Sequence, residues 1–427
     1  MSAPLAPGYV ETPLWHAGVV GTEVAHAPLP TRADVVVVGG GYCGASAAAG
    51  LARRGRAVTV LEAGDAGAGA STRNGGMVIP ELKHGPRSLR RKHAEVGAQL
   101  IAETLEAYAL VQQRVEQEAI ECDYRPAGGL LLAHHGQHLD GLADLAAEWR
   151  DEGEDARFLT RAELAAEIGT GAYDGGMLLT KTAAIQPAKY HAALVADARA
   201  AGATVHHHTR ATGVERVGAR FLVRTSHGSI DAGDVLIAAN AYVDGVLPPL
   251  ERRVLPIGSF IIATEPLGPD VARAVMPGDR MCFDTKHLLN YWRLSPDGRM
   301  VFGGRASLSR TTVAKARDVL YQQMVRVHPQ LDGARVTHAW GGNVAVTLDR
   351  LPHFGRLDGV AFATGCNGTG IALATWLGTR AAAWMTGEEP PPAFASLAFR
   401  PIPFRALRDA WLPAAGVALR LGDRLGR

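Results

Sequence analysis

The segment Asp34–Gly44 constrains the fold of this chain more than any other. It reads Asp-Val-Val-Val-Val-Gly-Gly-Gly-Tyr-Cys-Gly, an apolar run that leads into a glycine-rich turn with GxGxxG spacing. The valines predict a buried β-strand. Gly39 permits a tight turn, Gly41 lets a pyrophosphate approach the backbone, and Gly44 lets the following helix pack on the strand. The segment therefore predicts the first half of a dinucleotide-binding unit.

A helix predicted at about Cys43–Arg54 and a strand predicted at Ala57–Leu61 complete that unit. The helix N-terminus offers unpaired N–H groups and a positive dipole end to phosphates. Glu62, at the end of the strand, would accept hydrogen bonds from ribose hydroxyls and would repel a 2′-phosphate. The unit is therefore expected to hold the ADP half of a dinucleotide without that phosphate.

Two later glycine-rich segments narrow the choice of dinucleotide. Ala70–Gly76 (Ala-Ser-Thr-Arg-Asn-Gly-Gly) offers hydroxyls for phosphate oxygens and a backbone that can pass close to a flat ring. Ala363–Ile371 (Ala-Thr-Gly-Cys-Asn-Gly-Thr-Gly-Ile) repeats the strand–glycine–helix pattern, and a second helix N-terminus would stabilise negative charge on a reduced flavin. The sequence has one strand-linked GxGxxG, so the substrate is expected to supply the electrons.

Composition excludes several classes of protein. A net charge of +2 and the absence of basic runs interleaved with aromatics argue against a nucleic-acid partner. Four widely separated cysteines without a CxxC pair predict reduced thiols and no zinc site. The first twenty residues lack a basic region followed by an apolar core, and no apolar stretch is long enough to span a bilayer. We therefore expect a cytoplasmic protein.

The order of predicted elements indicates an α/β fold in two domains. βα patterns at both ends of the chain bracket antiparallel strands, including a hairpin at Leu288–Arg305, and long helical regions are predicted at Ser88–Glu121 and 137–168. We expect a Rossmann-like FAD-binding domain built from separated segments and an inserted antiparallel-sheet substrate domain. The predicted bounds are 34–85, 185–250 and 335–390 for the first domain, 86–184 and 251–334 for the second, 1–33 for an N-terminal arm and 391–427 for a C-terminal tail.

These segments together resemble the D-amino-acid-oxidase-like (DAO) family of FAD-dependent oxidoreductases over about residues 34–387. Within it, the sequence is most similar to the γ-glutamylputrescine oxidoreductases. That similarity rests on Arg73–Gly76, on Asn290–Leu294 with Phe302–Gly304, and on Ala339–Asn343 running to Leu351–Gly355. The resemblance implies bound FAD, two domains, and oxidation of a C–N bond to an imine.

The resemblance also assigns the cofactor-binding residues. Gly39, Gly41, Gly44 and Glu62 would hold the ADP half, and residues near Arg210–Val214 would lie beside the adenine. The full expected set is Gly39, Gly41, Tyr42, Cys43, Gly44, Glu62, Ala63, Ser71, Thr72, Arg73, Asn74, Gly75, Gly76, Gly213, Val214, Ala239, Gly341, Gly365, Asn367, Gly368, Thr369, Gly370 and Ile371.

Two departures from the family pattern affect the expected chemistry. Sarcosine oxidases carry a flavin-linking cysteine just before a Thr-x-Asp like the one at Thr347–Asp349, and this chain has Gly342 near that place. We therefore expect FAD to be bound noncovalently. Those enzymes also use a lysine to promote reaction with oxygen, and the matching strand, Met300–Gly304, contains none. Oxygen as the acceptor, giving H2O2, consequently has less support than an amine as the donor.

The implied reaction is hydride transfer from the α-carbon of a neutral amine to flavin N5, followed by hydrolysis of the iminium. Geometry and a dry pocket would supply most of the catalysis. Tyr291 and His353 are candidates to accept the amine proton, and Arg293 could hold a substrate carboxylate in bidentate fashion. Each has an alternative role: Tyr291 and Arg293 as a structural pair, and His353 as a histidine bonded to backbone.

Other polar tracts receive no catalytic role. His206–His208 would alternate across a strand with no partner spaced to complete a metal site, and no metal is predicted. His134, His135 and His138 are expected in a solvated loop and helix start. Cys43 and Cys366 are expected to fill space beside the cofactor.

The tail Pro401–Arg427 mixes apolar and aromatic residues with five arginines. It could form a basic amphipathic helix at a membrane surface, although packing against the body or a second subunit is favoured. The leading interpretation is an FAD-dependent oxidase or dehydrogenase of a primary or secondary amine, of the γ-glutamyl-polyamine or N-alkyl amino acid type. The alternatives are an amino acid oxidase or dehydrogenase that passes electrons to a quinone or protein, and a non-catalytic flavoprotein subunit.

Overall fold

The computed structural model describes residues 2–19, 28–305 and 308–426. Its strands form two large sheets and one small pair. In chain order the strands are β1 Leu5–Val10, β2 Arg32–Val38, β3 Val58–Leu61, β4 Met77–Val78, β5 Gly129–Leu132, β6 Ala156–Thr160, β7 Gly175–Leu179, β8 Ala183–Ala184, β9 Thr204–His206, β10 Ala211–Val217, β11 Arg220–Thr225, β12 Gly228–Ile237, β13 Leu255–Pro266, β14 Met281–Asp284, β15 Asn290–Leu294, β16 Arg299–Gly304, β17 Val336–Val346, β18 His353–Leu357 and β19 Val360–Thr364.

The α-helices cover the faces and edges of these sheets. In chain order they are α1 Tyr42–Arg53, α2 Pro86–Lys92, α3 Gly97–Gln117, α4 Leu139–Asp151, α5 Arg161–Leu164, α6 Pro187–Ala200, α7 Pro248–Glu251, α8 Pro269–Val275, α9 Val313–Val327, α10 Gly370–Met385 and α11 Arg408–Leu425.

The first sheet contains the predicted dinucleotide unit. β2 pairs in parallel with β3 on one side and with β12 on the other, and β19 also pairs in parallel with β12. The alanine-rich face of α1 is fully buried and packs against α10, where a Cβ on Gly378 would overlap the backbone of Cys43. This close approach brings the N-termini of α1 and α10 to the same edge of the sheet.

The second sheet is built mainly from antiparallel strands in the order β17–β13–β16–β15–β14. The predicted hairpin is confirmed, because β15 and β16 pair antiparallel around the turn after Leu294. Two pairs, β1 with β17 and β5 with β14, are parallel. The predicted fold class, a mixed α/β fold with a Rossmann-like sheet and a largely antiparallel one, is confirmed.

Several predicted bounds were wrong. The strand β17 falls within the predicted segment 335–390, yet it pairs with β13 along its length and belongs to the second sheet. The helical region 88–121 breaks at His93–Val96 into α2 and α3, and 137–168 contains α4, the strand β6 and α5. The predicted arm contributes β1 to the second sheet, and its residues 20–27 lie outside the described part of the chain.

Candidate active site

The turn between β2 and α1 has the geometry that its glycines predicted. Gly39 has a φ of +103°, and a Cβ there would lie 2.9 Å from the carbonyl oxygen of Ala238. A Cβ on Gly41 would lie 2.7 Å from Oγ of Ser71, and one on Gly44 would overlap the carbonyl of Gly39. Each glycine is therefore required by close packing, with Gly39 and Gly41 also lining a cavity.

Glu62 lies at the same end of this cavity. Its Oε2 accepts a hydrogen bond from the Gly40 amide (3.0 Å) and its Oε1 accepts one from the Gly64 amide (3.1 Å). These bonds fix the carboxylate at the sheet edge, and Ala63 and Ala239 line the cavity beside it. The Glu62 carboxylate, which the sequence predicts to face the ribose, therefore has a fixed orientation.

The segment Ala70–Gly76 is held in shape mainly by Asn74. Its Nδ2 donates to the carbonyls of Ala70 (3.1 Å) and Ser71 (2.9 Å), and its Oδ1 accepts from the Gly76 amide (2.8 Å). Ser71 Oγ in turn accepts from the first amide of α1, at Tyr42 (3.1 Å). Among the residues of this segment that were assigned to the cofactor, Ser71, Arg73, Asn74 and Gly75 line the cavity. Thr72 and Gly76 do not line it.

The second glycine loop meets the cavity from the opposite side. Asn367 has a φ of +51°, and its Oδ1 accepts from the amide of Thr347 at 3.2 Å. Gly365 lies behind the loop, where a Cβ would press on the Thr347 side chain. The residues of this segment that line the cavity are Ala363, Thr364, Cys366, Asn367, Gly368, Thr369, Gly370 and Ile371.

One cavity of about 710 Å³ joins these three segments and continues to the second sheet. Helices α1 and α10 both begin at it, and neither has a side-chain cap from its own N-cap residue or an acidic residue in the first turn, although Ser71 Oγ accepts from the first amide of α1. The N-termini of two helices favour negatively charged groups, such as a pyrophosphate and a reduced flavin ring. The residues present therefore fit FAD.

Besides Gly44, Thr72, Gly76 and Gly365, three more residues assigned by resemblance lie away from the cavity lining. Gly213 and Val214 are on β10, and the lining is instead formed by Arg210 and Ala211 just before them. Gly341 faces the second sheet, where a Cβ would lie 2.7 Å from the Phe260 ring, while its carbonyl accepts from Nη1 of Arg73 (3.1 Å).

Tyr291 lies in the cavity wall. Its ring occupies the space in front of Gly303 and Gly75, and its hydroxyl is 3.2 Å from Oγ of Ser259. Burial raises the pKa of this phenol to about 12. Tyr291 is therefore protonated at neutral pH and can donate a hydrogen bond, but it is a poor proton acceptor.

Arg293 does not reach the cavity, and the prediction that it holds a carboxylate is not supported by its contacts. Its guanidinium donates to the carbonyls of Gly75 (2.7 Å), Ile185 (2.7 Å) and Leu294 (3.3 Å), and it lies over the Trp15 ring. Burial lowers the pKa of this group to about 9. The N–H groups of Arg293 are therefore used by backbone carbonyls, among them that of Gly75 in the Ala70–Gly76 loop, because buried carbonyls need hydrogen-bond partners.

His353 also lies outside the cavity. Its Nε2 is 3.0 Å from Oδ1 of Asp349, and its ring stacks on Phe399 at 4.0 Å. It lines a separate pocket between residues 92–96 and 396–400. Because His353 does not line the cavity, it cannot reach a substrate there, and the geometry does not support it as the proton acceptor.

The far end of the cavity contains charged residues that the sequence did not single out. Glu81, Lys83, Arg305 and Arg350 all line it beyond Tyr291. Within the described residues, Oε1 of Glu81 is shielded from solvent and has no hydrogen-bond partner. Burial raises the pKa of Glu81 to about 7, and burial together with the nearby arginines lowers the pKa of Lys83 to about 8.

The only feature of the sequence that could have pointed to these four residues is that each lies close to a motif already discussed. Glu81 and Lys83 follow Gly76 closely, while Arg305 and Arg350 follow Gly304 and Asp349, which were read for other reasons. No local pattern indicates that the three segments meet. Their approach depends on the pairing of β13, β15, β16 and β17.

The thiols and histidine tracts have structural surroundings. Cys43 and Cys366 line the cavity, and burial raises the pKa of Cys43 to about 12 and also raises that of Cys366. His208 pairs with Asp65 at 2.9 Å. Across the described ranges, no three His, Cys, Asp or Glu side chains gather as a metal site would require.

Comparison with known proteins agrees with this geometry. Residues 34–384 match the family described as FAD dependent oxidoreductase, DAO. The chain is 32% identical over 399 residues to gamma-glutamylputrescine oxidoreductase from Escherichia coli (strain K12), which covers 92% of this chain and 93% of that protein.

Solved structures show the same fold. Glycine oxidase from Geobacillus kaustophilus superposes with a TM-score of 0.74 at 22% identity, over 87% of this chain and 99% of that one. L-proline dehydrogenase from P. horikoshii superposes with a TM-score of 0.70 at 19% identity, over 85% and 96%. With its glycine turns, its cavity and its match over residues 34–384, this chain belongs to the DAO family of FAD-dependent oxidoreductases.

Proposed function

We propose that this protein oxidises the C–N bond of a primary or secondary amine that also carries a carboxylate, such as a γ-glutamyl-polyamine or an N-alkyl amino acid. The observation that carries the proposal is the cluster of Lys83, Arg305 and Arg350 at the end of the cavity beyond Tyr291. Lys83 and Arg305 are partly buried and Arg350 is exposed, and three cations on the wall of one cavity favour an anionic group on the substrate. The similarity to gamma-glutamylputrescine oxidoreductase supports the same substrate class.

FAD, when bound, accepts the hydride that leaves the carbon next to the amine nitrogen. Gly39, Gly41 and Glu62 would hold the ADP half, and Arg73–Gly75 with Gly368–Gly370, which line the same cavity, would lie along the rest of the cofactor. The N-termini of α1 and α10 would stabilise the negative charge that accompanies reduction. The protein thus supplies position and electrostatics around the reacting atoms.

Noncovalent attachment of FAD is part of the proposal. Gly342 lines the cavity near the place where sarcosine oxidases carry their linking cysteine. Burial keeps the two cavity thiols, Cys43 and Cys366, protonated and therefore poor nucleophiles. Acid precipitation is expected to release the flavin into the supernatant, and flavin retained in the pellet would contradict this assignment.

Glu81 takes the proton-accepting role in this proposal. An ammonium group cannot release hydride, so its proton must first leave the nitrogen. A carboxylate with a pKa near 7 is matched to that transfer at neutral pH, and Oε1 of Glu81 has no competing partner within the described residues. Tyr291 forms part of the wall of the same cavity, and its ring would help to exclude water from the substrate.

Anaerobic reduction of the flavin in the purified holoenzyme tests the proposal. Loss of the oxidised flavin absorbance is expected with γ-glutamyl amines or N-methyl amino acids, and at least tenfold more slowly with the same amines lacking the carboxylate. Equal rates for both sets would contradict the role of the cations. No bleaching by any amine or amino acid would favour a non-catalytic flavoprotein subunit.

The electron acceptor is proposed to be O2, which yields H2O2. Lys83 places a cation in the cavity although the strand β16 has no lysine, and a positive charge near the reduced cofactor favours superoxide formation. Peroxide release in air with a reducing substrate supports the oxidase. Turnover with a quinone but without peroxide would favour the dehydrogenase alternative.

A further inference from the structure

Exposed apolar side chains concentrate at the C-terminal end of the chain. Of the eleven exposed large apolar residues in the described ranges, five lie between residues 404 and 425. Their exposed fractions run from 51% to 76%, and they are Phe404, Leu407, Val417, Leu421 and Leu425. Single exposed apolar residues are ordinary, but five within 22 residues of the chain point to a contact surface.

Three of these residues form a stripe on α11. Val417, Leu421 and Leu425 recur at intervals of four and therefore lie on one side of the helix. The opposite side packs on the body through Leu412, which joins a buried cluster with Leu255 and Ile257. The apolar stripe consequently points away from the protein.

The end of α11 is fixed in this orientation by hydrogen bonds. Both carboxylate oxygens of Asp423 accept from backbone amides, those of His287 (2.7 Å) and Leu288 (3.2 Å). His134 and His138 bond the carbonyls of Asp423 (3.0 Å) and Gly426 (3.2 Å). The two histidines were predicted to lie in a solvated region, and they instead anchor the helix.

The charge of this surface is positive. Arg420 and Arg424 are exposed next to the stripe, whereas Asp409 pairs with Arg310 and Asp423 is turned inward. Of the four arginines among residues 404–426, Arg405 is buried and pairs with Glu251 and Asp244, which leaves Arg408, Arg420 and Arg424 at least partly exposed. An apolar stripe flanked by arginines is complementary to the surface of an anionic bilayer. The acyl chains would contact the stripe and the anionic headgroups would contact the arginines.

Two other occupants fit less well. A two-fold contact between copies of this chain through the stripe would bring Arg420 and Arg424 towards their own counterparts, which is unfavourable. A membrane-spanning role is also excluded for the described helices, since none is long and apolar enough. The helix is suited to lie along a membrane and not to cross it.

We propose that α11 with the preceding turn at Phe404–Leu407 binds the protein to the surface of an anionic lipid bilayer. Val417, Leu421 and Leu425 enter the acyl–headgroup boundary together with Phe404. The arginines Arg420 and Arg424 contact lipid phosphates. Because Asp423 holds His287 and Leu288, next to the cavity-lining residues Lys286 and Leu289, the bound surface is connected to the cavity wall.

Sedimentation of the FAD-loaded protein with vesicles tests the proposal. We expect it to pellet with phosphatidylcholine vesicles that contain about 30% phosphatidylglycerol, and far less with phosphatidylcholine alone. About 0.5 M NaCl should reduce the bound fraction, because it screens the arginines. Equal binding to neutral vesicles, or none to anionic ones, would overturn the proposal.

Matched variants separate the stripe from exposed apolar residues in general. The pair Val417→Ser and Leu421→Ser should lower the partition coefficient by about tenfold or more. The control pair Val217→Ser and Val271→Ser, at positions 57% and 39% exposed on the body, should leave it unchanged. Flavin absorbance and the melting temperature verify that both proteins are folded.

The same variants identify a competing occupant. If light scattering shows a dimer that Val417→Ser with Leu421→Ser converts to a monomer, a second copy covers the stripe and the membrane proposal is wrong. Vesicle binding does not depend on turnover, so this test stands apart from the assignment of substrate.

Discussion

Gly75 and Tyr291 join the flavin loop to the second sheet, since a Cβ on the glycine would lie 2.9 Å from Cε2 of the tyrosine ring. Arg293, two residues along the same strand, donates to the carbonyl of Gly75 at 2.7 Å. The strand β15 therefore supports the loop from below with a ring and a guanidinium. The position of the loop along the proposed cofactor depends on this contact.

Gly75→Ala tests that contact. The added methyl must displace either the ring of Tyr291 or the loop, and overpacking of this kind costs about 1–3 kcal/mol. We expect FAD affinity to fall by at least about tenfold, measured as the dissociation constant of the flavin. Gly141→Ala, on an exposed helix position with nothing within 4 Å, is the control. Unchanged affinity in Gly75→Ala would show that the loop adjusts freely.

Tyr291→Phe tests whether the phenol donates a hydrogen bond or accepts a proton. Its pKa is raised to about 12, so the hydroxyl does not ionise between pH 6 and pH 10. We expect a rate of flavin reduction lowered by about tenfold or less, with an unchanged pH profile. Loss of a titration in that range on removal of the hydroxyl would instead identify Tyr291 as the base.

Glu81→Gln tests the proton acceptor. With a pKa of about 7, the carboxylate is protonated below that pH and inactive as a base, so flavin reduction in the unmodified protein should accelerate as the pH rises through 7. In Glu81→Gln this acceleration should disappear and the rate at pH 8 should fall about 100-fold. Glu95→Gln, at an exposed position outside the cavity, is the control.

Protein stability gives a second measure of the same group. Because the folded-state pKa of Glu81 lies above the usual 4.5, the folded protein binds more protons than the unfolded chain between about pH 4.5 and 7. The contribution of Glu81 to the free energy of unfolding is therefore largest below pH 4.5, and it is lost as the pH rises through 7. Glu81→Gln should therefore raise the melting temperature at pH 8 but not at pH 4.5, and an equal change at both values would contradict the shift.

Arg305→Met tests recognition of the substrate carboxylate. A lost charged hydrogen bond costs about 1.5–3 kcal/mol, so KM for a carboxylate-bearing amine should rise at least about tenfold. The same amine without the carboxylate should be affected much less. Arg326→Met, on the exposed side of α9, is the control. Equal losses for both substrates would place Arg305 in a structural role.

Titration of Lys83 should weaken substrate binding as the pH rises, whereas titration of Glu81 should accelerate flavin reduction. Its pKa is lowered to about 8, so its positive charge is present below that pH and is lost above it. KM for the carboxylate-bearing substrate should therefore rise as the pH increases through 8. In Lys83→Arg the charge persists and the rise should be absent. A rise that remains in this variant would assign the titration to another group.

The sequence was sufficient for features whose cause is local. Gly39, Gly41 and Gly44 are required by contacts within one strand–turn–helix unit, so their spacing predicted the dinucleotide turn correctly. The hairpin of β15 and β16 was likewise predicted, because turn residues are a local signal. Family resemblance extended this to FAD.

The tertiary structure alone decided which polar groups face the cavity. The sequence named Arg293 as a carboxylate-binding candidate, but only the packed structure places carbonyls of Gly75 and Ile185 against its guanidinium. His353 is turned to Asp349 and Phe399, while Oε1 of Glu81 has no hydrogen-bond partner among the described residues. Such outcomes depend on contacts between segments far apart in the chain, and no local pattern of residues specifies them.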